Sequence, residues 1–184
     1  ATSSAATTTT MMINRMRNVW PLLIAGSLGA MGVQVASADN YQLLVGSYTA
    51  GQSQGIYRLN FDSATGQIDA RPLQVIQSEN PSWLTLSKDQ QRVFVVNENG
   101  PGQTDPVGRV SSYAIDPKTL VLTLINQVQS LGNEPTHSSL SLEASHLFVS
   151  NYSVAEDPGG TLAVLPVAGD DSVQPVVEMS SPPG

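Results

Sequence analysis

The sequence predicts an all-β chain of repeated four-stranded antiparallel sheets, the blades of a β-propeller, and three observations predict it. Beyond Tyr41, short runs rich in Val, Leu, Ile and Tyr are bounded by clusters of Gly, Pro, Asn and Asp, the punctuation of strands and turns. No long segment keeps the 3.6-residue period of a helix. The chain also resembles itself at a period of about 50 residues, the sign of a repeat architecture.

The first 38 residues stand apart. Ala1 to Thr10, "ATSSAATTTT", is low-complexity and has no apolar period to bury. Arg15 and Arg17 then precede "VWPLLIAGSLGAMGVQV" and Ala36-Ser37-Ala38. A basic start, a short apolar segment and small residues at A-x-A make a secretory signal peptide. The apolar part, with Pro21 and several glycines, falls short of the roughly 20 residues that a membrane span needs. Residues 1–38 are therefore expected to be leader and signal peptide, with an uncleaved anchor as the alternative. Residues 39–184 are expected to be the propeller domain, periplasmic or secreted from a bacterium and free of the membrane after cleavage.

The strands of that domain come in three copies. "YQLLVGSY" (Tyr41–Tyr48), "RVFVVNEN" (Arg92–Asn99) and "HLFVSNYS" (His146–Ser153) are versions of one strand, with Leu43, Val93 and Leu147 in the same place at spacings of 50 and 54 residues. A loop of Gly, Ser and Pro leads each to a second strand: "GIYRLNFD", "RVSSYAID", "TLAVLPVA". Here Leu59, Tyr113 and Leu165 correspond, as do Phe61, Ile115 and Val167. Turns follow at "DSATGQI", "DPKTLVL" and "AGDDSV", rich in residue types that make reversals cheap. Third strands are "ARPLQVIQ", "LTLINQVQ" and "VQPVVEMS". A fourth, "NPSWLTLS" matching "EPTHSSLS" at a spacing of 54, leads into the next unit.

Four short antiparallel strands per repeat is the make-up of a propeller blade, and the WD and Gly-His signals of WD40 blades are missing. Three blades leave unpaired edges at both ends, and Pro182-Pro183-Gly184 reads as a linker. The expectation is the N-terminal part of a longer protein, with a ring closed by self-association as the alternative.

Charge and cysteine content narrow the chemistry. Without the two leader arginines, six Lys and Arg face fifteen Asp and Glu, a net charge of about −9. Such a surface repels phosphate backbones, and no basic cluster interrupts it, which argues against nucleic acid as a partner. The chain has no cysteine, hence no disulfide frame and no thiolate zinc site. Gly51-Gln52-Ser53-Gln54-Gly55 spells Gly-x-Ser-x-Gly but leads into the strand "GIYRLNFD" and not into a helix, so it is no nucleophile elbow, and there is no phosphate-cradling glycine loop or His-Glu-x-x-His pair. The acidic loops "GPGQTDPVG" and "AEDPGG" lack the alternating acidic spacing of an EF-hand and read as plain connections. No cofactor and no metal is expected.

The motifs "LLVGSYT…GIYRLNFDSATGQI", "NPSWLTLSKDQQRVFVVNE", "GRVSSYAIDPKTLVLTLINQ" and "EPTHSSLSLEASHLFVSNYS…GGTLAVLPV", taken in order, resemble the lactonase-type seven-bladed propellers. That family includes the bacterial propeller 6-phosphogluconolactonase and fungal carboxymuconate cyclase. The resemblance runs from Tyr41 to about Glu178. It implies a ring of about seven blades, of which this chain holds roughly the first three, and hydrolysis of a small-molecule lactone, 6-phosphoglucono-1,5-lactone for the phosphogluconolactonase members. "LFVSNY…GTLAVLPV" is also similar to the repeats of surface-layer propellers, which implies the alternative of a non-catalytic exported propeller binding a glycan or protein. An export signal and a phosphorylated cytosolic substrate conflict, which favours another sugar lactone.

Opening a lactone by water needs a general base and donors where the carbonyl oxygen gains charge. The family's Pro-His-x-His and Gly-Pro-Arg-His motifs lie in later blades and do not occur here. Three residues remain as candidates. His137 is expected at the turn entering the innermost strand, near the channel mouth; the alternative is a turn histidine bonded to backbone carbonyls. Glu98 ends a strand at a position where the other repeats carry Tyr48 and Tyr152, so the three are expected to line one rim; a solvated loop carboxylate is the alternative. Arg109 opens a second strand, in reach of Asp105 or Glu98, and reads more as an ion pair than as an oxyanion clamp. Asn97 and Asn151 are expected to cap turns through side-chain bonds to backbone, and His146 to be exposed.

Overall fold

The structure is a computed structural model, and it describes residues 9–12, 40–153 and 160–181. The signal-peptide motif, most of "AEDPGG" and the closing Pro-Pro-Gly lie outside the described residues. Among the described residues every regular element is a strand. They form three antiparallel sheets.

The first sheet holds β1 (Thr9–Met12), β2 (Asn40–Ser47), β3 (Gly55–Asp62), β4 (Gln67–Ile68) and β5 (Gln74–Gln77). The second is β6 (Pro81–Leu86), β7 (Arg92–Asn97), β8 (Arg109–Ile115) and β9 (Leu122–Gln129), paired in that order. The third repeats it with β10 (Asn133–Leu140), β11 (His146–Ser153), β12 (Leu162–Pro166) and β13 (Glu178–Ser180). The registers match the spacings: Leu43 lies opposite Leu59, Val93 opposite Tyr113 and Leu147 opposite Leu165. The fourth strand of each repeat pairs with the strand that follows it, so it opens the next sheet.

The outer strands are shorter than the sequence predicts in the first and third sheets. Residues around Pro72 and Pro175 stay out of the ladder, as fits a residue with no N–H to give. A second difference lies at the other edge. Thr9–Met12, expected to be leader, pairs with β2 from Thr9 opposite Ser47 to Met12 opposite Leu44. That place corresponds to β6 and β10 in the other sheets, where the inner edge of a strand otherwise exposes its N–H and C=O groups.

The turns close as their residues suggest. Asp62 Oδ1 accepts from the N–H of Ala64 at 2.8 Å, and Asp116 Oδ1 from Lys118 and Thr119 at 2.9 and 2.7 Å. Both are side-chain mimics of a backbone turn.

The core is the stack of sheets. Leu44 and Ile56 of the first sheet meet Leu84, Val93, Val95, Tyr113, Ile115 and Leu122 of the second. Phe94, Val96 and Val110 on the second sheet's other face meet Leu147, Val149, Ala163 and Leu165 of the third. Each buried Val, Leu, Ile or Phe among them contributes roughly 1.5–3 kcal/mol by leaving water. Two side-chain amides clip the outer strands across the stack. Gln74 donates to the carbonyl of Leu122 (2.9 Å) and accepts from its N–H (3.0 Å). Asn126 does the same to Val173, at 2.6 and 3.0 Å.

Candidate functional site

One end of the inner strands gathers the chemistry. β6 and β10 pair on one side only, and their free edges lie together where the sheets converge. These strands begin at the rim where β2, β7 and β11 end, so Tyr48, Glu98 and Tyr152 share that rim with Asn80 and Glu134.

Asn80 and Glu134 occupy equivalent places, each just before the proline at the start of β6 or near the start of β10, and both have positive φ, 40° and 52°. Asparagine tolerates that region; a glutamate there is strained and needs its surroundings to hold it. Asn80 Oδ1 accepts from the N–H and the hydroxyl of Thr49, both at 3.0 Å, and its Nδ2 donates to Asn99 Oδ1 at 2.9 Å. Glu134 donates its N–H to the carbonyl of Asn99 at 2.8 Å. Its stem lies on Gly100, where a Cβ would come within 2.3 Å of Glu134 Cγ. A glycine is required for this close approach.

Glu98, half-buried just past β7, accepts from the Tyr48 hydroxyl at 2.7 Å. Burial, then the bond and the charge of Glu98, push the Tyr48 phenol up to about 12. Glu134 adds to the rise and the Ser82 hydroxyl opposes it. Tyr48 thus remains a proton donor across the physiological range.

Arg109 opens β8 and is committed to Asp105, with Nη1 2.5 Å from Oδ2. That hydrogen bond leads the causes holding the Asp105 carboxyl below its ordinary value. Of the two partners the sequence offered, the arginine takes Asp105.

His137 departs from expectation. It lies inside β10, opposite Ser150, rather than in a turn. The ladder skips Thr136 between Pro135 and His137, a β-bulge, and a bulge bends the strand and re-aims the side chain that follows. Instead of bonding to backbone carbonyls, the exposed imidazole stacks on Trp83, with ring centroids 4.3 Å apart at a tilt of 51°.

Glu98, Arg109 and His137 therefore have three separate partners, and among the described residues no hydrogen bond or ion pair joins any two of them. Sequence reasoning missed Trp83 and Glu134. Both were within its reach, since the 54-residue alignment sets Trp83 against His137 and Asn80 against Glu134. The asparagines bond to backbone as expected, but from within β7 and β11 to distant segments and not as caps of their own turns. Asn97 donates to Glu79 O and Ser78 Oγ, and Asn151 to Gly160 O at 2.9 Å, tying the connections to the strands. The other rim carries a cleft of about 350 Å³ lined by Ser87, Lys88, Asp89, Arg92, Glu143 and Ala144. Its Arg92 is neutralised by Asp171 at 2.8 Å. Among the described residues, no three His, Asp or Glu side chains are grouped as metal ligands would be.

Residues 42–184 match the family described as "Lactonase, 7-bladed beta-propeller". A 6-phosphogluconolactonase of Bacillus subtilis is 30% identical over 135 residues, covering 73% of this chain and 36% of that protein. A 6-phosphogluconolactonase of Formosa agariphila is 30% identical over 112 residues, 60% of this chain and 30% of that one. Among solved structures, a periplasmic gluconolactonase of Pseudomonas aeruginosa superposes with a TM-score of 0.71 at 50% identity, over 77% of this chain and 38% of its own. The chain spans about a third of the length of these relatives.

Proposed function

Because the chain belongs to the seven-bladed β-propeller lactonase family, we propose that the full-length protein opens a sugar lactone with water, giving the aldonic acid. Water adds to the carbonyl carbon, the ring C–O bond breaks, and the departing ring oxygen takes a proton. His137, an exposed imidazole on an inner strand, serves as the base that removes the water's proton and returns one to the ring oxygen. Glu98 and Glu134 accept hydrogen bonds from sugar hydroxyls. Arg109, held by Asp105, fixes the loop between β7 and β8.

The observation that carries the substrate class is the charge of the rim. Two carboxylates stand there, and the nearby arginine is already neutralised. Such a rim favours an uncharged polyol and repels a phosphate dianion. An unphosphorylated lactone also suits an exported protein, in keeping with the leader motif and the similarity to a periplasmic gluconolactonase.

The test is ring opening of glucono-1,5-lactone and of its 6-phosphate by the full-length protein, against the spontaneous rate. The expected kcat/KM is about tenfold or more higher for the unphosphorylated lactone. A preference for the phosphate would overturn the substrate class, and no acceleration of either would overturn the reaction.

A further inference from the structure

The two inner strands carry the same irregularity at the same place. In β6 the ladder skips Ser82, with Pro81 opposite Asn97 and Trp83 opposite Val96. In β10 it skips Thr136, with Pro135 opposite Asn151 and His137 opposite Ser150. Each bulge turns the residue after it, and the two residues so turned are Trp83 and His137, which meet ring to ring. The contact is thus the product of two matched backbone features.

Trp83 is itself fixed. Its indole Nε1–H donates to the carbonyl of Ser138 at 3.0 Å, and the ring packs against the Phe94, Val96 and Leu147 cluster. Thr85 Oγ1 meets the same carbonyl at 2.8 Å and Ser138 Oγ at 2.7 Å. One tryptophan therefore holds β10 twice, by the backbone of Ser138 and by the side chain of its neighbour His137. Neither ring nitrogen of His137 has a hydrogen-bond partner among the described residues. The indole is what fixes the plane of an imidazole that would otherwise turn freely about χ1 and χ2.

We infer that Trp83 is a positioning residue for His137, holding the imidazole edge-on to the hub so that its nitrogens meet water and the lactone. The inference rests on the reading of His137 as the base. A group misplaced by about 1 Å loses on the order of a hundredfold in rate, so the indole acts on turnover rather than on binding.

The experiment uses the full-length protein with glucono-1,5-lactone, comparing wild type, His137→Gln, Trp83→Phe and Trp83→Leu. Ring carbon–proton NMR signals of histidine are recorded for each, and the signal missing from H137Q is that of His137. Trp83→Phe keeps a ring under the imidazole and is expected to stay within about threefold of wild-type kcat. Trp83→Leu is expected to lose about tenfold to hundredfold in kcat at nearly unchanged KM, with the His137 signal displaced. If W83L does not fold, Trp83→Met fills the same space and carries the same test. Wild-type kcat and an unmoved His137 signal in W83L, beside an inactive H137Q, would overturn the positioning role and leave the lactonase reading intact. Full activity in H137Q would overturn the base assignment and the inference with it, while inactive wild type would overturn both proposals.

Discussion

β7 and β11 are copies of one strand, yet they do not live in the same surroundings. Along β7, Val93 and Val95 bury into the first interface and Phe94 and Val96 into the second. Along β11 only one face is covered: Leu147 and Val149 are buried, while Ser150 and Tyr152 are exposed. Phe94 is 0% exposed and its counterpart Phe148 is 37% exposed. Burial here belongs to the neighbouring sheet and not to the strand. A blade is complete only when both its faces are stacked, so the third sheet presents the face that a fourth would cover in a seven-bladed ring.

The largest expected effect tests this directly. In the 184-residue chain, Phe94→Ala should cost about 3–5 kcal/mol, the usual loss for truncating a buried aromatic. Phe148→Ala should cost less, about 1–2 kcal/mol, because more than a third of its surface stays in water. In the full-length protein the Phe148 cost should rise above about 2 kcal/mol, toward that of Phe94. Denaturant titration measures all of these. Equal costs in the short chain would break the comparison, and an unchanged Phe148 cost in the long one would show that no sheet covers it.

The amide clips sharpen the contrast at the outer edge. Gln74 lies opposite Arg58, Asn126 opposite Ser112 and Glu178 opposite Val164, so the three occupy one repeat position. The first two satisfy both backbone groups of a residue in the next repeat. Asn126→Ala would leave the N–H and C=O of buried Val173 without those bonds and should cost about 1–3 kcal/mol. Glu178 is exposed and carries a carboxylate, which accepts but cannot donate. Glu178→Gln should therefore stabilise the full-length protein by up to about 1 kcal/mol, measured as a rise in Tm, and leave the 184-residue chain unmoved. A gain in the short chain would show that the effect is local to β13.

The strands were legible because their signal is local: apolar runs, turn residues and a spacing that three copies repeat. Leu43, Val93 and Leu147 could be aligned from sequence, and their partners followed. What was not legible depends on pairs. A bulge is a mismatch between two strands, so nothing within "EPTHSSLS" alone says that Thr136 is skipped, and His137 was expected in a turn for that reason. The positive φ of Glu134 is equally hidden, since a residue before proline is ordinarily extended. Gly100, which makes room for it, is 34 residues away in the chain. Arg109 and Asp105 lie four residues apart, and that pairing could be read directly. The Tyr48–Glu98 bond bridges 50 residues; the repeat put both on one rim without showing that they touch.

That bond yields the smallest effect, and it extends the comparison to the rim. Tyr48 lies just past β2 and meets the carboxylate just past β7, whereas its counterpart Tyr152 in the third sheet is 78% exposed. The Tyr48 phenol is pushed from the ordinary 10 to about 12, so the folded state favours the neutral form. Its contribution to stability is complete below pH 10 and is lost as pH rises from 10 through 12. Tyr48→Phe should remove that decline from a plot of Tm against pH, and at pH 7 it should cost up to about 1 kcal/mol for the lost bond to Glu98. Glu98→Gln takes away the charge but leaves the burial, which is the leading cause. Its phenol should therefore ionise at a lower pH than in wild type while staying above the ordinary value, as read from phenolate absorbance. Full return to the ordinary value in E98Q would mean that Glu98, rather than the cover of the second sheet, holds the proton on Tyr48.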